Sequence, residues 1–355
     1  PKSRMRPLKK FTRRWICCLV SCFSTGILAI AVTPLPRAAA GPRGSRASLP
    51  DLPLAIMRGH PSSWSTMCDH CMEHGAGGKW YLNAEAYSNE IAEKYDLREF
   101  LLEQYTNFEQ MSVRRVNGLS PVGMDHTFQM PIIGRVVKKM AERMLHSRKP
   151  PTNPFRPEGH IGQVIPLEDA EAILQHCAAE PIIEKNCMCR YMSRGEKEAC
   201  CINFGVMSEI IDKLPRFVPE KEKYHLSRDE AVARFREHNA KGYIGTIWYG
   251  PFPYINNLCS CESPECAGIR PRVDFGIKSI YKAEYVIELY SPSCRGCGAC
   301  VAKCPFGALR MDKALERPVV DLDNCFGCGV CRHACDTGAL FLVPRDDVPA
   351  LAGSR

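Results

Sequence analysis

Acidic residues are absent from the first 50 positions, which carry ten Lys/Arg. Beyond them 37 basic residues stand against 39 acidic ones, a net charge of −2, whereas the whole chain carries +8. The excess charge belongs to one terminal segment, which excludes a nucleic-acid footprint. Nucleotide motifs are missing as well: no Walker loop and no dinucleotide glycine fingerprint precedes a helix. A C-x3-C-x2-C triplet and a nucleophile constellation are also absent, and both absences argue against a stand-alone enzyme. His225, His238 and Asp229 read as solvated residues at or near a helix surface. Any flavin or nicotinamide would come from another subunit.

Cysteine is abundant, 21 residues in 355. The run from Cys294 reads C-R-G-C-G-A-C-V-A-K-C-P-F-G-A-L, and the run from Cys325 reads C-F-G-C-G-V-C-R-H-A-C-D-T-G-A-L. Both carry C-x2-C-x2-C-x3-C, and short turns at that spacing let three thiolates converge on an iron–sulfur cubane. Gly296, Gly298, Gly327 and Gly329 permit the tight backbone this needs. A zinc ribbon, built from two C-x2-C pairs, fits the pattern poorly. The residues resemble a bacterial-type ferredoxin with two [4Fe–4S] clusters, over about 286–345. The resemblance implies Cys294, Cys297, Cys300 and Cys335 on one cluster, and Cys304, Cys325, Cys328 and Cys331 on the other. Asp336 stands where the first run has Pro305, which removes a rigid turn but no sulfur. Tyr285-Val286-Ile287 and Ala339 to Val343 are expected to pair as short strands. Arg295, Lys303, Arg332 and His333 beside the ligands favour the more negative reduced clusters and predict raised potentials.

A second cysteine set lies upstream, in Asn186-Cys187-Met-Cys189-Arg190, Cys200-Cys201-Ile-Asn-Phe-Gly205 and Asn257-Leu-Cys259-Ser-Cys261-Glu-Ser-Pro-Glu-Cys266. C-x-C leaves too little chain for all of these thiolates to serve one cubane. The adjacent Cys200 and Cys201 do not readily serve one ion together. Four of Cys187, Cys189, Cys201, Cys259, Cys261 and Cys266 are expected to hold a third metal centre, a further [4Fe–4S] cluster first and zinc second. Buried free thiols are the plain alternative. The pattern C-x-C-R, C-x-x-F-G and a cysteine-dense loop is similar, more loosely, to microbial ferredoxin-like proteins that place such a unit before a double-cubane module. Cluster assembly requires reduced thiols, hence folding in a reducing compartment.

The remaining segments complete four expected domains: a leader at 1–50, a helical region at 51–160, a cysteine-rich α+β unit at 161–280 and a ferredoxin domain at 281–355. In the leader, seven basic residues precede the uncharged run Trp15–Val32, followed by Pro34, Pro36 and small residues. This predicts a signal peptide or a membrane-spanning helix. Thr12-Arg13-Arg14-Trp15-Ile16 resembles a degenerate twin-arginine motif, implying export with cofactors in place. The expectation is a membrane-associated N-terminus, with redox proteins of a membrane oxidoreductase complex as partners.

Cys68 and Cys71 form a C-x2-C pair, but Met72 replaces the His of a haem-attachment motif, which leaves two free thiols, or a zinc or iron half-site if a second pair comes from elsewhere. Asp96 to Glu99 has capping-box spacing before a helix, and a second helix is predicted from about Ile132 to Leu145. Residues 149–157 read as a Pro-rich linker. Pro166 opens another helix, Ser227 to Glu230 is a capping box, Gly242 ends that helix, and Tyr243–Tyr249 is a strand. The fold class is therefore α+β. The function expected is an electron carrier or redox-complex subunit. The alternatives are an oxidoreductase with an open metal site in 161–280 and a zinc-stabilised docking domain on a ferredoxin.

Overall fold

The structure is a computed structural model that describes residues 79–94, 96–114, 128–145, 162–211, 213, 223–249 and 254–351. Ten strands organise it: β1 (Gly162–Val164), β2 (Ile182–Asn186), β3 (Ala199–Phe204), β4 (Lys223–Leu226), β5 (Ile244–Tyr249), β6 (Ile255–Cys261), β7 (Tyr285–Leu289), β8 (Leu309–Asp312), β9 (Arg317–Val320) and β10 (Leu340–Pro344). The first six form one antiparallel sheet in the order β1-β5-β6-β3-β2-β4. The others form two antiparallel pairs, β7 with β10 and β8 with β9. The class is α+β.

Strand side chains alternate between faces, and here the alternation separates two chemistries. Ile247, Leu258 and Ile202 are aligned across β5, β6 and β3 and belong to one apolar core. The helix Arg228–Lys241 contributes Ala231, Val232 and Phe235 to that core, and Trp80, Tyr81 and Tyr87 complete it. One residue along each strand, Thr246, Cys259 and Cys201 align on the opposite face. Cys201, Cys259 and Cys261 share a core there with Val164, Ile244 and Ile280.

The Arg228–Lys241 helix has the expected ends. Ser227 and Glu230 make a reciprocal capping box, and Gly242 closes the helix at φ 105°. Pro166 is the N-cap of Leu167–Ala172, one position before the expected place. Asp96 departs from the reading as a cap. It stands at φ 51°, where its N–H bonds Glu93 O at 3.0 Å, so it joins two helices, Asn89–Lys94 and Leu97–Arg114. Helix Ile133–Leu145 forms as predicted, but its apolar face is only partly covered: Ile133 and Val137 are half-buried, whereas Val136 is 53% and Met140 43% exposed.

Polar bonds tie the parts together. Asp169, buried, accepts 2.6 Å hydrogen bonds from both Tyr81 Oη and Lys79 Nζ, and Lys79 also bonds Tyr285 on β7. Gln163 on β1 accepts from Trp80 Nε1 at 2.8 Å and donates to Lys282 O at 3.1 Å.

The expected N-terminal membrane attachment, with its transmembrane helix, signal peptide, export route and membrane-complex partner, requires correction. Among the described residues no helix is long and apolar enough to cross a membrane. The longest, Leu97–Arg114, carries Arg98, Glu99 and Glu103, whereas a span needs about 20 predominantly apolar residues. The run Trp15–Val32, the pair Cys68 and Cys71, and the linker 149–157 lie outside the described residues.

His238 is buried, not solvated. Its Nδ1 lies 3.8 Å from Glu184 on β2, a fully buried carboxylate with Arg234 at 3.6 Å and no hydrogen-bond partner on either oxygen. Burial pushes the Glu184 carboxyl up from 4.5 to about 7, and His238 down from 6.5 to about 4. Between pH 4.5 and 7 the folded chain keeps a proton on Glu184 that the unfolded chain releases, so this group's contribution to stability falls as pH rises. His238 has the opposite slope between pH 4 and 6.5. Glu184→Gln should therefore raise the melting temperature at pH 8 by about 2–5 °C. The gain should be much smaller at pH 5, and equal shifts at both pH values would contradict this assignment.

Candidate metal centres

The two C-terminal cysteine runs fold as near-copies. Gly296 and Gly327 stand at φ 70° and 68°, and Gly298 and Gly329 at φ 72° and 76°. After each of the latter a short helical turn carries the third cysteine, Ala299–Lys303 in one run and Val330–Ala334 in the other. The closing Gly-Ala-Leu also has one function in both runs. Ala308 N donates to Cys304 Sγ at 3.3 Å and Ala339 N to Cys335 Sγ at 3.2 Å. β7 and β10 pair over five residues, as expected from their apolar runs. The β8–β9 hairpin was not foreseen.

Two small, mainly apolar cavities result. Cys304, Cys325, Cys328 and Cys331 line one, with Phe306, Phe326 and Ile287. Cys294, Cys297, Cys300 and Cys335 line the other, with Leu289, Pro318 and Leu340. Each quartet joins three cysteines of one run to the fourth of the other. Exposure differs between them: Cys325, Cys328 and Cys331 are buried, whereas Cys297 is exposed. Burial pushes the Cys328 thiol up to about 12, so a free thiolate is disfavoured there.

Arg345 is a support the sequence reading did not identify. Fully buried, it donates to Ala283 O at 3.1 Å, Tyr285 O at 2.9 Å and Cys325 O at 2.8 Å, clasping β7 to the second cysteine run. The positive residues around the ligands are partly neutralised. Arg295 is paired with Asp336, and Arg332 makes a two-pronged pair with Glu168 at 2.5 and 2.9 Å. Burial and the neighbouring Arg332 push His333 down, towards the neutral form. Of the four residues expected to raise the potential, Lys303 donates to Lys241 O at 3.2 Å, and buried Arg345 adds a positive charge beside Cys325.

All six upstream cysteines singled out from the sequence are brought together, and Cys200 joins them. Cys187 caps the helix Met188–Arg194 just after β2, and its thiol contacts those of Cys189, Cys200 and Cys201. Cys201 lies 3.4 Å from Cys259, Cys261 contacts both Cys259 and Cys266, and Cys266 contacts Cys189. The six thiols thus close a ring, with Cys200 on its edge against Cys187 and Cys201. Four of the seven, Cys200, Cys201, Cys259 and Cys261, sit on strands and not in the loops expected. The Cys187 thiol is held well below its usual value by hydrogen bonds from Cys189, Cys200 and Cys201. Those three donors are pushed up in turn.

Adjacent cysteines do not readily serve one ion together, and on that ground the expected ligand set holds Cys201 and not Cys200. A β-bulge overturns this: Lys185 pairs with Cys201 and Asn186 with Ala199, so Cys200 is the extra residue. A bulge re-aims a side chain, and here Cys187, Cys200 and Cys201 lie within 4.8 Å of one another, all buried. Arg190, 1% exposed, places Nη1 3.6 Å from Cys200 Sγ, pairs with Glu198 and with Glu262 at 3.0 Å, and stacks 4.5 Å over Tyr243. Cys177 lies apart in the apolar core, where burial pushes its thiol up to about 11. The ring shares a core with Cys328, Phe326 and Val330, and Phe306 stacks on Phe326 at 4.1 Å.

Residues 293–339 match the 4Fe-4S dicluster domain family. That stretch is a ferredoxin-like iron–sulfur module, and it contains all eight cysteines of the two quartets. No curated protein gives a match to the chain.

A Cβ on Gly327 would lie 2.0 Å from Tyr285 O at a positive φ, whereas one on Gly338, also at positive φ, meets nothing within 4 Å. Gly327→Ala should disrupt the second cysteine run and purify with clearly less iron than Gly338→Ala. Equal iron in the two purified variants would contradict the close packing at Gly327.

Proposed function

We infer that the chain relays single electrons through two [4Fe–4S] clusters and carries a third metal centre upstream of them. The observation that supports this best is the pair of cavities, each lined by one quartet of thiols drawn from both cysteine runs. In this reading Cys294, Cys297, Cys300 and Cys335 hold the outer cluster. Cys304, Cys325, Cys328 and Cys331 hold the inner one.

When bound, such clusters accept and release one electron at a time, with potentials set by hydrogen bonds, charge and solvent. The residues of this chain supply those controls. Backbone N–H groups of Ala308, Ala339 and Ile287 point at ligand sulfurs at 3.2–3.4 Å and favour the more negative state. Phe306 and Phe326 exclude water from the inner cavity, while exposed Cys297 offers the outer one to an external donor or acceptor. The upstream thiols, packed against the Cys328 side of the module, hold the third centre.

The test is iron and sulfide content after anaerobic purification of the full chain. About eight irons and eight sulfides are expected in the module, with Cys297→Ser and Cys328→Ser each lowering iron by about four. About four irons or fewer in the native chain would overturn the two-cluster reading.

A further inference from the structure

We propose that the bulged Cys200, with Cys187 and Cys201, forms the core of a site for a single zinc ion, the fourth position being closed by Cys189 or Cys259. The proposal rests on the third centre inferred above and specifies its chemistry.

Spacing carries the inference. Sulfurs that share one tetrahedral zinc at about 2.3 Å lie about 3.8 Å apart. A cubane instead spreads its four ligands over four separate irons. Among the described residues Cys187, Cys200 and Cys201 form the one group of metal-binding side chains whose ligand atoms all lie within 4.8 Å of one another. No three of the eight ferredoxin thiols do, although they line cavities of their own. One chain therefore holds two spacings, an open one in the quartets and a tight one upstream.

Three further observations agree. The trio exists only because the bulge turns Cys200 to the side of Cys201, and bulges recur where a side chain must be re-aimed. Cys189 touches Cys187 and Cys259 touches Cys201, so a fourth thiolate stands at either side of the trio. Arg190, buried and held by Glu198 and Glu262, directs a guanidinium N–H at Cys200 Sγ from 3.6 Å and so orients that ligand. Zinc binding at these thiols releases their protons and leaves the oxidation state of every atom unchanged. The site is therefore redox-silent: it staples β2 to β3 beside the inner cluster without lengthening the electron path.

The experiment measures zinc and iron together in the anaerobically purified full chain and in Cys200→Ser, with Cys177→Ser as a buried-thiol control. About one zinc is expected beside about eight irons, with zinc falling at least tenfold in Cys200→Ser and iron unchanged. Comparing Cys189→Ser with Cys259→Ser identifies the fourth ligand. Should Cys200→Ser fail to fold, cobalt(II) titration of the zinc-stripped native chain replaces it. Thiolate-to-cobalt charge-transfer absorption saturating at about one cobalt is then expected. About twelve irons with no zinc, zinc retained in Cys200→Ser, or no cobalt–thiolate band would overturn the proposal. Iron below about eight with zinc intact would instead count against the two-cluster relay alone.

Discussion

A buried thiolate needs a compensating partner, and the structure follows from where such partners can be placed. A sulfur inside an apolar core stays protonated unless a metal or a positive group compensates its charge. The six-stranded sheet meets that constraint by splitting its faces. Ile202, Ile247 and Leu258 build an ordinary core under one helix, while Cys201, Cys259 and Cys261 collect on the reverse. The ferredoxin-like module covers that reverse face through Phe326, Cys328 and Val330, so the thiol ring lies between sheet and module.

The module solves the same constraint by duplication. Each run turns through two left-handed glycines, and each lends its last cysteine to the other quartet. Neither cavity exists without both runs, and Arg345 fastens the second run to β7 through three carbonyl groups. An asymmetry is built into this near-symmetry: three of the inner quartet's thiols are buried, and the outer one reaches solvent at Cys297.

What was legible in the sequence was local. C-x2-C-x2-C-x3-C specifies its own turns, so the two runs were readable locally, whereas their division into quartets was what the ferredoxin resemblance implied. The Ser227 capping box, Gly242 and the β7 and β10 runs were equally readable, since each depends on a few neighbouring residues. What stayed hidden depends on distant pairing. Nothing in Ala199-Cys200-Cys201 announces a bulge, which arises only against Lys185 and Asn186. His238 looked like a surface residue on a charged helix until Glu184 on β2 was seen beneath it. The alternation Cys201-Ile202-Asn203-Phe204 did carry a strand signal, and it would have moved these cysteines out of loops.

The central claim is that two one-electron centres sit side by side in the module. Paramagnetic resonance of the fully reduced chain, with spins counted against a standard, tests it most directly. The account predicts about two spins per chain, with spectra split by mutual coupling, and Cys297→Ser or Cys328→Ser leaving about one unsplit spin. A single unsplit signal of about one spin in the native chain would contradict it.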